Sequence, residues 1–180
     1  MHAVVSLLDK KHEQTVKELW SDLERLYEIR ELAALIPFPH FSYQIAQQYN
    51  EKQLLTRLEN IAHQTVPFHV MTSGLSMFTG SHPVLFIPVV RTMELSLLHQ
   101  NLWQELSPLG KGVSLYYSQE RWLPHITLAE HDLDQQKVAQ IISLLSQRDF
   151  FWNIVIDNLA VLWDTGTAQE VRYRFTLQGK

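Results

Sequence analysis

Apolar residues recur along the chain at two periods, and the period changes several times, which predicts alternating strands and helices. Residues 3–8 (AVVSLL) form a short β-branched run that reads as a buried strand. Val16, Leu19, Trp20, Leu23, Leu26 and Tyr27 then fall at steps of three and four, the stripe of an amphipathic helix over 12–29. Pro37 and Pro39 end helical structure before His40, and FPHFSYQIA reads as a strand. Asn50 is a suitable cap for a helix over 51–64 with Leu54, Leu55, Leu58, Ile61 and Ala62 inward. Residues 67–79 read as a strand bent near Gly74.

The same order follows in the second half. VLFIPVV (84–90) reads as a strand and Met93–Leu106 as a helix burying Leu97, Leu98, Leu102 and Leu106. A loop through Ser107, Pro108 and Gly110 leads to a short strand at 113–117, and WLPHITLA (122–129) matches FPHFSYQIA. A helix over Asp134–Ser146 precedes one long strand at 150–163, a turn at Asp164–Gly166, and a last strand at 171–177. Two repeats of about 80 residues are too long for a solenoid unit. They suit an α+β fold, bilobal, with two pseudo-symmetric lobes (about 1–80 and 81–180). Each lobe carries an antiparallel sheet with helices outside, and the sheets face a central cleft. Residues 1–180 form a single domain in this reading.

The matched strands carry the candidate chemistry. Pro39-His40-Phe41-Ser42-Tyr43 and Pro124-His125-Ile126-Thr127-Leu128 share a pattern, with the histidines 85 positions apart. Side chains alternate on a strand, so His40 and Ser42 share one face and His125 and Thr127 another, with apolar neighbours behind. Breaking a phosphodiester needs one proton removed and one supplied, and two imidazoles titrating near neutrality divide that work. Hydroxyls beside them can bond non-bridging phosphate oxygens. A lone His-x-Ser/Thr is a weak signal; the conjunction of flanking Pro, strand setting and equivalent place in two halves is what makes it specific. His63-Gln64-Thr65 has a similar spacing but sits at a helix end, and reads as a decoy.

The pair PHFSYQ and PHITLA in a chain of this length resembles the two-histidine (2H) phosphoesterase superfamily, nearest to bacterial 2′-5′ RNA ligase and RNA 2′,3′-cyclic phosphodiesterase proteins. The resemblance implies catalytic roles for His40, Ser42, His125 and Thr127, and metal-independent opening of nucleoside or RNA 2′,3′-cyclic phosphates without a cofactor. Two other functions stay open: a 2′-5′ RNA ligase or 2′-5′ oligonucleotide phosphodiesterase, and a non-catalytic module that binds a nucleotide or RNA end. Many members of the ligase branch of the family it resembles carry an Arg shortly after the second motif; here that stretch reads Ala129-Glu130-His131.

Composition narrows the partners. The chain has no Cys, which excludes disulfides, thiolate nucleophiles and Cys-type zinc sites. It has nine His but no HExxH or comparable ligand spacing, so no metal site is expected. A net charge of −4 without a Lys/Arg cluster points to a nucleotide or short RNA end, not a DNA duplex or long RNA. No apolar run is long enough for a membrane helix, and charge returns too early for a signal peptide, so a cytoplasmic monomer without membrane contact is expected. For the substrate, alternation puts Phe38 and Gln44 on the cleft side with His40, Phe38 as either a base platform or a core ring. Arg91, Lys111, Arg121, Arg172 and Arg174 are the cations that could meet phosphate, Arg91 and Arg121 foremost. His69 and His131 are further residues that could approach the cleft, whereas Trp122 and Trp163 read as core.

Overall fold

The computed structural model describes residues 1–179. Its strands are β1 (His2–Leu7), β2 (His40–Ala46), β3 (Gln48–Tyr49), β4 (Phe68–Met71), β5 (Ser76–Phe78), β6 (Val84–Pro88), β7 (Gly110–Lys111), β8 (His125–Ala129), β9 (Asn153–Ile156), β10 (Asn158–Asp164) and β11 (Gln169–Thr176). Its helices are α1 (Lys10–Tyr27), α2 (Glu31–Leu35), α3 (Glu51–Gln64), α4 (Met93–Leu106) and α5 (Gln135–Leu145). Four of the helices start where a short polar side chain accepts a first-turn amide: Asp9 from His12, Asn50 from Gln53, Thr92 from Leu95 and Asp134 from Lys137. α1 ends at Glu28, which adopts a left-handed φ of 57° and returns its amide to the carbonyls of Glu24 and Leu23. Among the described residues, no helix is long and apolar enough to cross a membrane.

Two antiparallel layers form the body. One has the order β11-β10-β1-β2 and is backed by α3 and α4. The other joins β5-β6-β8 to β4-β9 through the Thr72–Val89 bridge; α1 packs on β8, and α5 packs against α1. The fold is the expected α+β arrangement. The chain division near residue 80, however, does not separate the sheets. β4 leaves the first half to pair with β9, and β10 leaves the second half to pair with β1. Helix α1 likewise packs across on β8 and α4 on β2. Each lobe is therefore built from both halves, and neither half could bury its helices alone.

The stretch 150–163, one strand by its pattern, is two. The chain crosses between sheets at Asp157, so β9 pairs with β4 and β10 with β1. Asn158 fixes the crossing: its buried amide donates to the Leu7 carbonyl at 2.9 Å and accepts the Leu7 N–H at 3.0 Å. Residues 115–117 form a 3-10 turn in place of the expected strand. Leu97, expected inward, is 59% exposed, because Leu95, Leu98, Leu102 and Leu106 already fill the buried stripe of α4. The short helix α2, absent from the pattern reading, is tied down by Asp132, whose carboxylate accepts the Arg30 and Glu31 amides.

Candidate active site

The two motif strands begin identically. The His40 Nδ1 faces the Phe38 carbonyl at 2.5 Å and the His125 Nδ1 faces the Leu123 carbonyl at 2.7 Å, in each case two residues upstream across a proline. A carbonyl can only accept, so both rings carry their proton on Nδ1 and leave the Nε2 lone pair free. The proline carbonyls serve matching roles as well, Pro39 accepting from Leu8 and Pro124 from Val89. Leu7 pairs with His40 and Val5 with Ser42; Pro88 pairs with His125 and Phe86 with Thr127. The internal repeat therefore extends from sequence to register.

His40, Ser42, His125 and Thr127 line one cleft of about 700 Å³, the size of a small-ligand site. Leu32 and Ile36 of the α2 segment, Phe78, Tyr117 and Trp122 supply other parts of its wall. Burial holds the His40 imidazole down at about 4, with the neighbouring His125 charge adding to the effect. Burial also lowers His125, partly offset by the bond to Leu123. Two neutral imidazoles thus face the cleft at pH 7, and an anion between them would restore the proton affinity that burial removes.

Trp122 joins the motifs. Its indole N–H donates to the Ser42 carbonyl at 2.8 Å, and its ring stacks between Tyr43 and His99, 3.8 Å from the latter. The reading of Trp122 as core holds, since it is 2% exposed, yet one edge also lines the cleft. Nothing in the local pattern signals this bridge, because its partner lies 80 residues upstream.

Three expected substrate contacts lie elsewhere. Gln44 is fully buried, donating to the Ser107 hydroxyl at 2.9 Å and accepting from the Tyr49 phenol at 3.0 Å. The cause is a β-bulge: Val5 pairs with Ser42 and Val4 with Gln44, leaving Tyr43 unpaired and reversing the alternation. Ile45 takes the cleft position instead. Phe38 sits on a bend before β2, its ring packed on Ala3, Val5, Ala160 and Leu162, so only its carbonyl serves the site. Arg91 spans the loop before His125, donating to the carbonyls of Trp122 and Gln119 at 3.2 Å. Arg121 does line the cleft.

Of the other candidates, Arg172 pairs with Glu51 and Arg174 with Asp157, Lys111 lies in the β7 pairing, and His69 of β4 contacts Asn153 of β9. His131 adjoins the cleft through Glu130 at 3.4 Å. Thr65 of the decoy triplet closes α3 by donating to the Ile61 carbonyl. Among the described residues, no three His, Asp or Glu side chains gather as a metal site.

Replacing Gln44 tests the bulge directly. Gln44→Leu takes the acceptor from the buried Tyr49 phenol and leaves the Ser107 hydroxyl only its bond to the Trp103 carbonyl; it is expected to cost about 1–3 kcal/mol in thermal or denaturant unfolding, with substrate KM within twofold of wild type. A raised KM at unchanged stability would return Gln44 to the cleft.

A two-lobed α+β protein whose cleft carries a His-x-Ser/Thr pair from each lobe is, by fold and site, a two-histidine phosphoesterase. The family model described as the 2′-5′ RNA ligase superfamily matches residues 9–168. The chain belongs to that family, and so is an enzyme of phosphoesterase type. A Bacillus cytotoxicus protein carrying a phosphoesterase name is 28% identical over 133 residues, covering 72% of each chain. A Bacillus mycoides protein with the same kind of name is 26% identical over 136 residues, again 72% of each. The crystal structure of TT0787 of Thermus thermophilus superposes with a TM-score of 0.66 over 99% of this chain and 98% of its own, at 15% identity, a likeness of fold.

Proposed function

We propose that this cleft hydrolyses a 2′,3′-cyclic phosphate on a nucleoside or RNA end, with His40, His125, Ser42 and Thr127 as its catalytic residues. One imidazole takes a proton from water through Nε2 as the water oxygen attacks phosphorus. The other gives a proton to the departing ribose oxygen, so that one P–O bond of the ring breaks and a phosphomonoester forms. The Ser42 and Thr127 hydroxyls donate to the non-bridging oxygens, where charge accumulates. Each Nδ1–H bond to a backbone carbonyl holds its ring in place and stabilises it when charged. The observation that carries this reading is the matched tautomer: two imidazoles, both tied at Nδ1, both lining one cleft. The test is turnover of a 2′,3′-cyclic nucleotide by the purified chain in the presence of EDTA, read by product chromatography. A nucleotide that binds and is never converted would leave a binding module instead.

The family description favours a second reading, reversible 2′-5′ ligation, in which a ribose 5′-hydroxyl replaces water as the attacking group. The same two imidazoles would serve, and end-joining of short RNA measures it.

The lowered histidines also set a pH dependence. In the free protein both titrate below the usual 6.5, so the bell of kcat/KM is expected to peak on the acid side of that value. The profile of kcat is expected further towards neutrality, because the bound phosphate raises both groups. A kcat/KM optimum above about pH 7.5 contradicts the assignment. The stability consequence has the opposite limb. Unfolded His40 and His99 bind protons below about 6.5, whereas the folded groups resist until about 4. Stability is therefore lost as pH falls through that window, by at most about 1.4 kcal/mol per pH unit for each group.

A further inference from the structure

The cleft is symmetric at its centre and asymmetric at its ends. β8 repeats the bulge of β2: Phe86 pairs with Thr127 and Leu85 with Ala129, leaving Leu128 unpaired. In both strands the alternation reverses at the same place, so the fifth residue after the histidine returns to the cleft. On β2 that residue is Ile45, and on β8 it is Glu130. A strand rise of about 3.3 Å per residue puts the Glu130 backbone some 7–10 Å beyond Thr127, roughly one nucleotide from the phosphate held at the centre. Among the described residues lining the cleft, Glu130 is the one carboxylate and Arg121 the one Lys or Arg.

Glu130 is fixed in place. Its own strand ends at Ala129, and two residues further on Asp132 binds the amides that start α2. α2 and the residue after it in turn present Leu32 and Ile36 to the cleft. Burial raises the carboxyl above the usual range, with His131 opposing. The Tyr117 phenol nearby is pushed up to about 12, first by burial and then by the Glu130 charge. This is a poorly solvated acceptor, which a hydroxyl or N–H donor satisfies and a second anion does not.

We propose that Glu130 makes one end of the cleft an anion-excluding subsite. On that side the reacting phosphodiester bears a nucleoside or a free ribose hydroxyl, and never a further phosphate. The substrate is then a terminal linkage, and a linkage flanked by phosphates on both sides is rejected. This rests on the proposed reading of the site as a phosphodiesterase for nucleotide ends. A like charge at about 7 Å and an effective dielectric constant near 20 corresponds to a penalty of about 10- to 100-fold.

Calorimetric binding of three small ligands tests it: 2′-5′-linked adenylyl-adenosine, the same dinucleotide with a 5′-terminal phosphate, and the same with a 3′-terminal phosphate. One of the two phosphorylated forms is expected to bind wild-type protein at least about tenfold more weakly than the parent. Glu130→Gln is expected to bring that form within about threefold of the parent and leave the other unchanged. Raising salt from about 0.05 to about 0.5 M should shrink the same penalty in the wild type, a measurement that needs no variant. The proposal is overturned if neither phosphorylated form is penalised, or if the penalty persists in Glu130→Gln and at high salt. Absence of turnover on a 2′,3′-cyclic nucleotide, with the binding penalty intact, would remove the hydrolytic reading and leave the subsite standing.

Discussion

Replacing either His40 or His125 by alanine is expected to lower kcat/KM on a 2′,3′-cyclic nucleotide by about 10³-fold, within the 10²–10⁴ range of positioned acid–base groups. The double variant should fall little below the worse single one, because the two rings act on one transition state and their losses do not add. Nucleotide affinity should stay within several-fold of wild type, since both rings are neutral in the free protein at pH 7. Steady-state kinetics, with thermal unfolding to confirm the fold, decides the matter. More than a tenth of wild-type turnover in either single variant removes that residue from the chemistry.

The second large effect concerns Trp122. Trp122→Ala deletes a fully packed ring between Tyr43 and His99, and is expected to cost about 3–5 kcal/mol. In a chain of this length that lowers Tm by roughly 6–20 °C. Trp122→Phe keeps most of the stack but loses the N–H donated to the Ser42 carbonyl. Its stability loss should be about 1–2 kcal/mol, the value of one buried bond and its unpaired acceptor. Because that bond holds the first motif against the loop that carries the second, kcat should fall about tenfold or more, beyond what the Tm change explains. Wild-type kcat in Trp122→Phe would make the residue a core ring and nothing further.

Much of the architecture is readable one element at a time. α3 and α4 span the ranges their apolar spacing marks out, and Asn50 caps α3 as its position suggests. The His-x-Ser/Thr pairs stand out because the requirement is local, two side chains on one face of one strand. The misplaced residues share a different cause. Gln44 and Ile45 exchange faces at a bulge defined by Val4 and Val5 on another strand. Phe38 leaves the cleft because the strand begins only at His40. Arg91 is drawn off by carbonyls 28 and 31 residues away. Glu130 enters the cleft by the same kind of bulge that removes Ala129, and comparing the two motifs at equal offsets from the histidines pairs it with Ile45.

From the order of residues alone came the α+β class, the repeated halves and the four side chains that face the cleft in matched pairs. Periodicity and short-range hydrogen bonding suffice for these. Only the tertiary structure decided which strands share a sheet, with β4 and β10 each crossing to the opposite lobe. It also decided where the register slips, and hence which end of the cleft is acidic. Strand pairing and bulges are properties of two segments at once, and a pattern within one segment carries no record of its partner.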